Sequence, residues 1–549
     1  VTSPPARPAA GPAAGPSAEP VAGAWAPLQQ RTYRRFWVAL LVSNIGTWMQ
    51  TVGAQWLLVD ELGTPGLAPL VQTAATLPVL LLALPAGVLA DTFDRRRLLI
   101  AVQAAAVSVC ALLAALTAAG RTTPALLLTL TFLLGCTAAL TAPAYQATIP
   151  DIVPRDQLPA AAALGSANMN MARAIGPAVA GALIAQVGVA AAFGVNAFSF
   201  LAFLAVLLAW PGLRTRLAHP PERFTAALRA GSRYVRNSRV VRRILLRLGL
   251  FVAPASALWA LLPLVATQRL GLGSQGYGLL LGAVGAGAAV GALLLPRLRR
   301  QLGPNLVLTL ASVVYAAALV GLVATPSPAV AAIGLVPAGA AWVGVLSTMN
   351  ASLQLFLPTW VRARGLSIYQ MVFFGAQALG GVVWGLAAEL LGVVTACGLA
   401  AATLALGAAS MGVLPLCDAA GLGRDLVSYW PEPQVAVEPT RDVGPVLVTS
   451  EYVVAAERQE AFVAAMRAVE RSRRRTGAYR WRLYQDAAHP HRFVEAFLVA
   501  SWGEHLRQHE GRLTAADEVI ERRAIALTDG EPVVSHLFPA GALTPPAQD

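Results

Sequence analysis

The feature that most constrains this chain is a series of apolar runs, each long enough to cross a bilayer. They fall at 36–58, 67–90, 98–119, 124–146, 159–187, 190–210, 245–268, 276–295, 305–324, 328–356, 366–391 and 393–415. A helix needs about 20 mostly apolar residues to span the hydrocarbon core. Twelve such runs predict an all-α membrane bundle of twelve transmembrane helices. Soluble chains are about a quarter charged, whereas this one is 13% charged and 56% hydrophobic over 549 residues. Every basic residue is arginine. That excludes a P-loop lysine and a lysine Schiff base, and with the former ATP-driven pumping by this chain.

Charge fixes an expected orientation. Residues 1–440 hold 27 Arg against 13 Asp and Glu, and residues 441–549 hold 14 against 15, so the excess belongs to the membrane part. With the N-terminus inside, Arg31/Arg34/Arg35, Arg95/Arg96/Arg97, Arg155, the 211–243 linker, Arg297/Arg299/Arg300 and Arg362/Arg364 are all cytoplasmic, and only Arg121 and Arg269 lie outside. The positive-inside bias explains this spacing better than nucleic acid does, so no nucleic-acid partner is expected. An even number of spans returns the C-terminus to the cytoplasm. The lysine-free, Ala/Arg-rich composition points to a high-GC bacterium, which makes the bacterial inner (plasma) membrane the expected location.

The chain divides into an expected disordered tail (1–30), a six-helix half (31–210), a basic cytoplasmic linker (211–243) read as an amphipathic helix on the membrane face, a second six-helix half (244–415), a Pro-rich linker (416–445) and a cytoplasmic α+β unit (446–540). Residues 1–30 lack the apolar core of a signal peptide. Gln146-x-x-x-Pro150 recurs as Gln354-x-x-x-Pro358, and Gly176-Pro177-x-x-x-Gly181 as Gly380-Gly381-x-x-x-Gly385, at offsets near 206. Two matches in order favour a 6+6 pseudo-repeat. Cys110, Cys136 and Cys397 lie in apolar stretches and Cys417 just beyond one, so all four read as small apolar residues.

Between spans two and three stands Gly87-Val-Leu-Ala-Asp91-Thr-Phe-Asp94-Arg95-Arg96-Arg97. Alone it reads as a topogenic basic loop. It also resembles motif A of the major facilitator superfamily, which implies a conformational latch formed here by Gly87, Asp91, Arg95 and Arg96. The sequence departs from that motif at Thr92 and at Asp94, where the pattern has glycine. Gly176, Pro177 and Gly181 resemble the span-five antiporter motif, and read alone they form a small-residue packing and hinge face. Further stretches resemble the drug- and siderophore-exporter branch that includes the enterobactin exporter and the transmembrane secretion effector group.

A substrate path should appear as a polar stripe at helical spacing. Asn44, Trp48, Thr51 and Gln55 form one in span one, Asn350 and Gln354 in span ten, and Gln370, Phe374 and Gln377 in span eleven. Interhelical hydrogen bonding is the competing reading. The resemblance assigns spans one, four, seven and ten to the cavity, and adds Trp259. Arg173, deep in span five, is the coupling candidate, lining the cavity or pairing near Asp91, with snorkelling toward the inner face as the alternative.

The tail reads β-α-β-β-α-β, a ferredoxin-like split pattern similar to dimeric monooxygenase-type domains. Dimerisation through it is therefore a further expectation. His505 and His509 stand at i,i+4 on a helix without a third ligand of suitable spacing, and Arg471–Arg475 reads as a solvated helix end, so no metal and no cofactor are expected. The function implied is a secondary transporter, not an enzyme. It would export a small amphipathic, largely uncharged compound (a drug, siderophore or secondary metabolite) by alternating access, with protons or another ion as the driving partner. The alternatives are a small-molecule-binding or monooxygenase-like tail with the bundle as delivery module, and a membrane receptor.

Overall fold

A computed structural model of the protein describes residues 25–210, 224–416, 426–433, 435–437 and 439–543. The expected tail 1–30 lies almost wholly outside these residues, as do much of the basic linker and Cys417.

After a short turn at Ala26–Gln29, six long helices follow: α1 Arg31–Trp56, α2 Ala68–Thr92, α3 Arg95–Ala118, α4 Pro124–Ile152, α5 Leu158–Val187 and α6 Val189–Ala209. The linker contributes α7, Phe224–Asn237, which is strongly amphipathic. Ser238 then caps α8, Arg239–Leu264, its hydroxyl accepting from Val241 N at 3.4 Å. Arg239, Arg242 and Arg243 therefore belong to α8, and the linker ends earlier than the sequence implied. Next come α9 Ser274–Ala324, α10 Pro328–Phe356, α11 Thr359–Leu391 and α12 Val393–Ala409. The 51 residues of α9 contain Gly303 at φ 70°, ψ 164°, so two helical segments meet there at a turn.

Nine helices among the described residues are long and apolar enough to cross a membrane. The chain is accordingly a multi-pass membrane protein. This count takes α9 as one and omits α1 and α5, whose faces carry Asn44, Gln50 and Gln55, and Asn168 and Arg173.

Backbone detail recurs between the two sets of helices. A π-helical turn at Leu57–Glu61 ends α1 and another at Val265–Arg269 ends α8, 208 residues later. Each is closed by a glycine of positive φ, Gly63 (59°) and Gly271 (62°), a conformation glycine adopts without steric cost. Gly188 (95°) and Gly392 (85°) likewise separate α5 from α6 and α11 from α12. Sequence patterning cannot register such a match, because it resides in φ and ψ.

The two sets meet where α5 packs on α9 and where α2 packs on α11. The inter-set hydrogen bonds that position side chains here are Gln55 Nε2 to Trp259 O (3.0 Å), Tyr277 Oη to Gln55 Oε1 (2.5 Å), Thr73 Oγ1 to Ala378 O (3.0 Å) and Ser274 Oγ to Gly181 O (3.4 Å). All lie toward the end of the bundle remote from the tail unit, called here the distal end.

The tail unit comprises β1 Val446–Val453, α13 Gln459–Thr476, β2 Arg480–Gln485, β3 Arg492–Val499, α14 Trp502–Gly511, α15 Ala515–Ile525 and β4 Val533–Leu537. Its sheet runs β2-β3-β1-β4, antiparallel throughout. The single second helix expected from the sequence is two, broken at Arg512–Thr514, where Thr514 and Asp517 form a capping box for α15. Alternation along β1 and β3 turns Val446, Val448, Tyr452, Phe493, Phe497 and Val499 onto a core with Phe462, Met466, Trp481 and Trp502. The unit rests on the bundle through Arg233–Glu504 (3.0 Å) and through the Arg512 guanidinium, 4.7 Å from the centroid of the Trp360 ring.

Candidate functional site

Aromatic side chains form a continuous line across the seam between the two sets of helices. Trp48 of α1 meets Trp259 of α8 at 5.6 Å between centroids, and Trp259 meets Trp342 of α10 at 5.7 Å. Trp342 in turn contacts Phe251 (5.9 Å), Tyr315 (6.1 Å) and Phe373 (6.1 Å). Such rings attract cations through their negative faces. Arg173 supplies the cation, with its guanidinium carbon 5.7 Å from the Trp48 centroid. Its Nε is buried without a hydrogen-bond partner among the described residues. A charge at this depth costs about 2.5–3.5 kcal/mol even on permissive insertion scales, so the position calls for a functional reason.

The expected cavity and coupling residues divide into four groups. Trp48, Trp259 and Arg173 come together at the seam. Gln55, 2% exposed, is sealed at the distal closure between Trp259 O and the Tyr277 hydroxyl. Asn44 donates to Asn168 Oδ1 of α5 at 2.9 Å, and the Thr51 hydroxyl donates back to Thr47 O at 3.1 Å. Asn350 and Gln354 hydrogen-bond to each other toward the tail-side end of α10, apart from the aromatic line. Sequence reasoning missed Trp342, Tyr315 and Phe373 because it sought polar stripes within single spans. The aromatic line exists only once helix neighbours are known.

Beside this line the closure also brings backbone directly against backbone. A Cβ added at Gly181 would stand 2.5 Å from Ser274 O, and one at Gly285 would stand 2.6 Å from the carbonyl of Arg173 itself. The recurring glycine motif takes the same places in both sets. Gly176 packs on Trp48 within its own set and Gly181 across the seam; Gly380 packs on Ala253 and Ser256 within its own set, and Gly385 across the seam on Pro69. Pro177 lies inside α5, and its carbonyl faces Gly278.

At the tail-side end, Arg95 donates to Ala147 O (2.9 Å) and Asp151 Oδ2 (3.0 Å) of α4, and Arg96 to the last carbonyls of α6, Leu207 (3.2 Å) and Leu208 (3.0 Å). Both guanidiniums thus brace their own set of helices. Asp94, the departure from the motif glycine, accepts from Arg97 N at 2.8 Å and caps α3, a preferred residue in that role. Gly87 and Asp91 lie in the last turns of α2, and their side-chain surroundings lie outside the described residues. Arg247, which the sequence reading passed over, is 3% exposed and donates to Gly407, Ser410 and Leu414 at the end of α12. Its signal was an arginine interrupting an otherwise apolar run.

The tail corrects one expectation. Arg471–Arg475 is not a simple solvated end, because Arg473 is 3% exposed and pairs with Glu495 (3.1 Å) and Glu521 (2.6 Å), while Arg475 pairs with Asp517. Trp430, from the Pro-rich linker, donates to Glu521 Oε2 at 2.9 Å and covers Arg473. Burial opposes ionisation of Asp517, but Arg475 and the hydrogen bonds from Ser472 and Thr514 outweigh it and hold the carboxyl below its usual range. The carboxylates that complete these pairs lie far along the chain, which is why the run alone did not reveal them.

Comparison with known proteins gives this geometry a setting. The sequence profile of the transmembrane secretion effector family matches residues 22–541. The staphyloferrin A transporter of Staphylococcus aureus is 27% identical over 282 residues, 51% of this chain and 70% of that protein. The multidrug efflux pump Tap of Mycobacterium tuberculosis is 30% identical over 274 residues, 46% of this chain and 62% of Tap. The enterobactin exporter EntS of Salmonella typhimurium is 34% identical over 182 residues, 33% of this chain and 42% of EntS. In fold, the chain is similar to the nucleoside transporter NupG (TM-score 0.59, 13% identity, 70% of this chain and 99% of NupG). It is also similar to a POT family transporter (0.58, 10%, 69% and 95%). These relatives are transporters, not enzymes, and the family implies a small-molecule substrate and a lipid environment. Matched along nearly its whole length and built on a transporter fold, the chain belongs to the transmembrane secretion effector family of major facilitator-type transporters.

Proposed function

We propose that the protein exports a small amphipathic compound across a bacterial inner membrane by alternating access. The carrying observation is the buried Arg173 guanidinium against the aromatic line Trp48–Trp259–Trp342, beside a closure that brings backbone against backbone. This chemistry favours a flat aromatic cargo bearing an anionic or phenolic group, more polar than the uncharged cargo expected from the sequence alone. The ring would stack on tryptophan, and the oxygen would take the unmatched charge of Arg173. The relatives named for transport of staphyloferrin A and export of enterobactin support small-molecule export.

The matched π-turns, positive-φ glycines and glycine contacts support a 6+6 duplication. Counting α9 as two spans and adding α1 and α5 to the nine apolar helices makes twelve, with both termini and the tail unit on the cytoplasmic face. Distal contacts between the sets support a state open toward the cytoplasm. Gly87 and Asp91 remain the latch candidates, with Arg95 and Arg96 as its brace. The proton gradient drives export, and Arg173 remains the coupling candidate. Proteoliposomes loaded with a catechol- or phenol-bearing compound test the proposal. Flux under a pH gradient that falls at least tenfold in Arg173→Gln supports it; equal flux in the two proteins, or none with or without the gradient, refutes it.

A further inference from the structure

Three histidines that the transport reading does not use converge in the tail unit. His505 and His509 are one turn apart on α14 and share a face. His536 comes from β4, where it pairs with Val448 of β1; Val448 faces the core, and directly opposed residues share a face. Fold topology thus supplies the third imidazole that spacing could not. His505 Nε2 stands 2.9 Å from His536 Nε2 and 3.2 Å from His509 Nε2, and the ligand atoms of all three lie within 4.8 Å of one another. Nitrogen atoms about 2.0–2.1 Å from one tetrahedral ion are about 3.3 Å apart.

Hydrogen bonding selects the tautomer of His505. The Thr476 hydroxyl donates to Ser472 O (3.0 Å), so it accepts from Gln508 Nε2 (3.1 Å), which leaves Gln508 Oε1 facing His505 Nδ1 at 3.1 Å. An amide oxygen only accepts, so Nδ1 carries the hydrogen and Nε2 presents its lone pair to the centre. Orientation of a ligating imidazole through its far nitrogen is the usual support in metal sites. His509 Nδ1 is buried with no hydrogen-bond partner among the described residues, so no other contact holds its Nε2 in a donor role. Without an ion, the single lone pair of His505 Nε2 can satisfy only one of two facing nitrogens. With an ion, all three donate. Burial, then the neighbouring histidines and Arg473, hold His505 down at about 3, and burial, then His536 and Arg473, hold His509 at about 4, so both are neutral near pH 7. The charge of Arg473 is answered by Glu495 and Glu521. Trp502 packs 5.5 Å from His505 and Trp430 4.9 Å from His509, making a wall that limits the approach of water.

We propose that His505, His509 and His536 bind one divalent transition-metal ion of the zinc and cobalt class through their Nε2 atoms, with Gln508 as the positioning residue. Three protein ligands leave a fourth position for water or a small anion. The ion fastens α14 to the last strand of the sheet, and through the Trp430 contact it bears on the linker leaving the bundle.

The test uses full-length protein in detergent without an affinity tag, stripped by a chelator and titrated with cobalt(II), then zinc(II). The expected result is one ion per chain, with the intense visible absorption of tetrahedral cobalt, and zinc X-ray absorption showing three imidazole nitrogens. His505→Gln or His536→Gln should abolish the cobalt band. Gln508→Leu should weaken binding about 10–100-fold, the usual effect of losing a second-layer support. His489→Gln, remote from the cluster, should change nothing. Retention of less than a tenth of an ion per chain, an unchanged band in His536→Gln, or fewer than two imidazoles around wild-type zinc overturns the proposal. The last measurement needs no variant and so stands if a substitution prevents folding.

Discussion

Replacing Gly285 by alanine should bias the transporter away from the conformation described. The added Cβ would sit 2.6 Å from Arg173 O and closer still to Ala174 Cα, whereas carbon contacts settle at about 3.5–4.0 Å. Helix α9 must then withdraw from α5 by about 1 Å. Overpacking of this kind costs about 1–3 kcal/mol. On the proposed alternating-access reading the cost falls only on the distally closed state, because the two helices would part in the other. The closed-to-open ratio therefore drops by about 5- to 150-fold. Ser274, 6% exposed at the same seam, offers a reporter. In a cysteine-free background, Ser274→Cys should react with an impermeant maleimide several-fold faster when Gly285→Ala is present, and cargo flux should fall. Gly176→Ala is the control, since its Cβ would meet Trp48 Cβ at 2.6 Å within one set of helices. It should lower the melting temperature in detergent and leave the labelling rate alone. Unchanged labelling together with full flux in Gly285→Ala would refute the view that backbone contact forms the gate.

Other substitutions probe separate parts. Asp94→Ala should cost about 1 kcal/mol through loss of the α3 cap, whereas Asp94→Gly, which restores the family residue, should cost only about a few tenths; thermal unfolding in detergent ranks the two. Asp517→Asn removes the buried partner of the half-buried Arg475 and half of a capping box, so denaturant unfolding followed by tail tryptophan fluorescence should show a loss of about 3 kcal/mol. Since the folded carboxyl titrates below its unfolded value, its contribution is complete above about pH 4 and lost as pH falls further; Asp517→Asn should remove that part of the acid dependence. Arg247→Met removes the donors of Leu414 O, while Gly407 O keeps the Ser410 hydroxyl and Ser410 O keeps Leu414 N; one stranded acceptor costs about 1–3 kcal/mol, and Arg247→Lys should rescue little because it lacks the planar fork. Melting in detergent reads both.

Spans were legible because burial in lipid demands unbroken apolarity, a property of every residue in the run. Their number was harder to recover from the structure, since two helical segments abut at Gly303 without an intervening loop and polar residues lower the hydropathy of α1 and α5. Paired sites were largely illegible. His536 lies 31 residues from His505 and is joined to it only by strand register, and Trp342 reaches Trp259 only through helix packing. Asp94 was visible as a departure from a motif but not as a cap, because capping depends on where a helix begins.

The glycine closure also bears on how such a protein changes over time. A gate that sets main chain against main chain carries no information about cargo there, so those contacts stay the same whatever passes through. The aromatic line beside it consists of side chains that substitution can reshape one at a time. Descendants of this chain can therefore acquire new cargo without rebuilding the gate, while a single methyl group on Gly285 reaches every cargo alike.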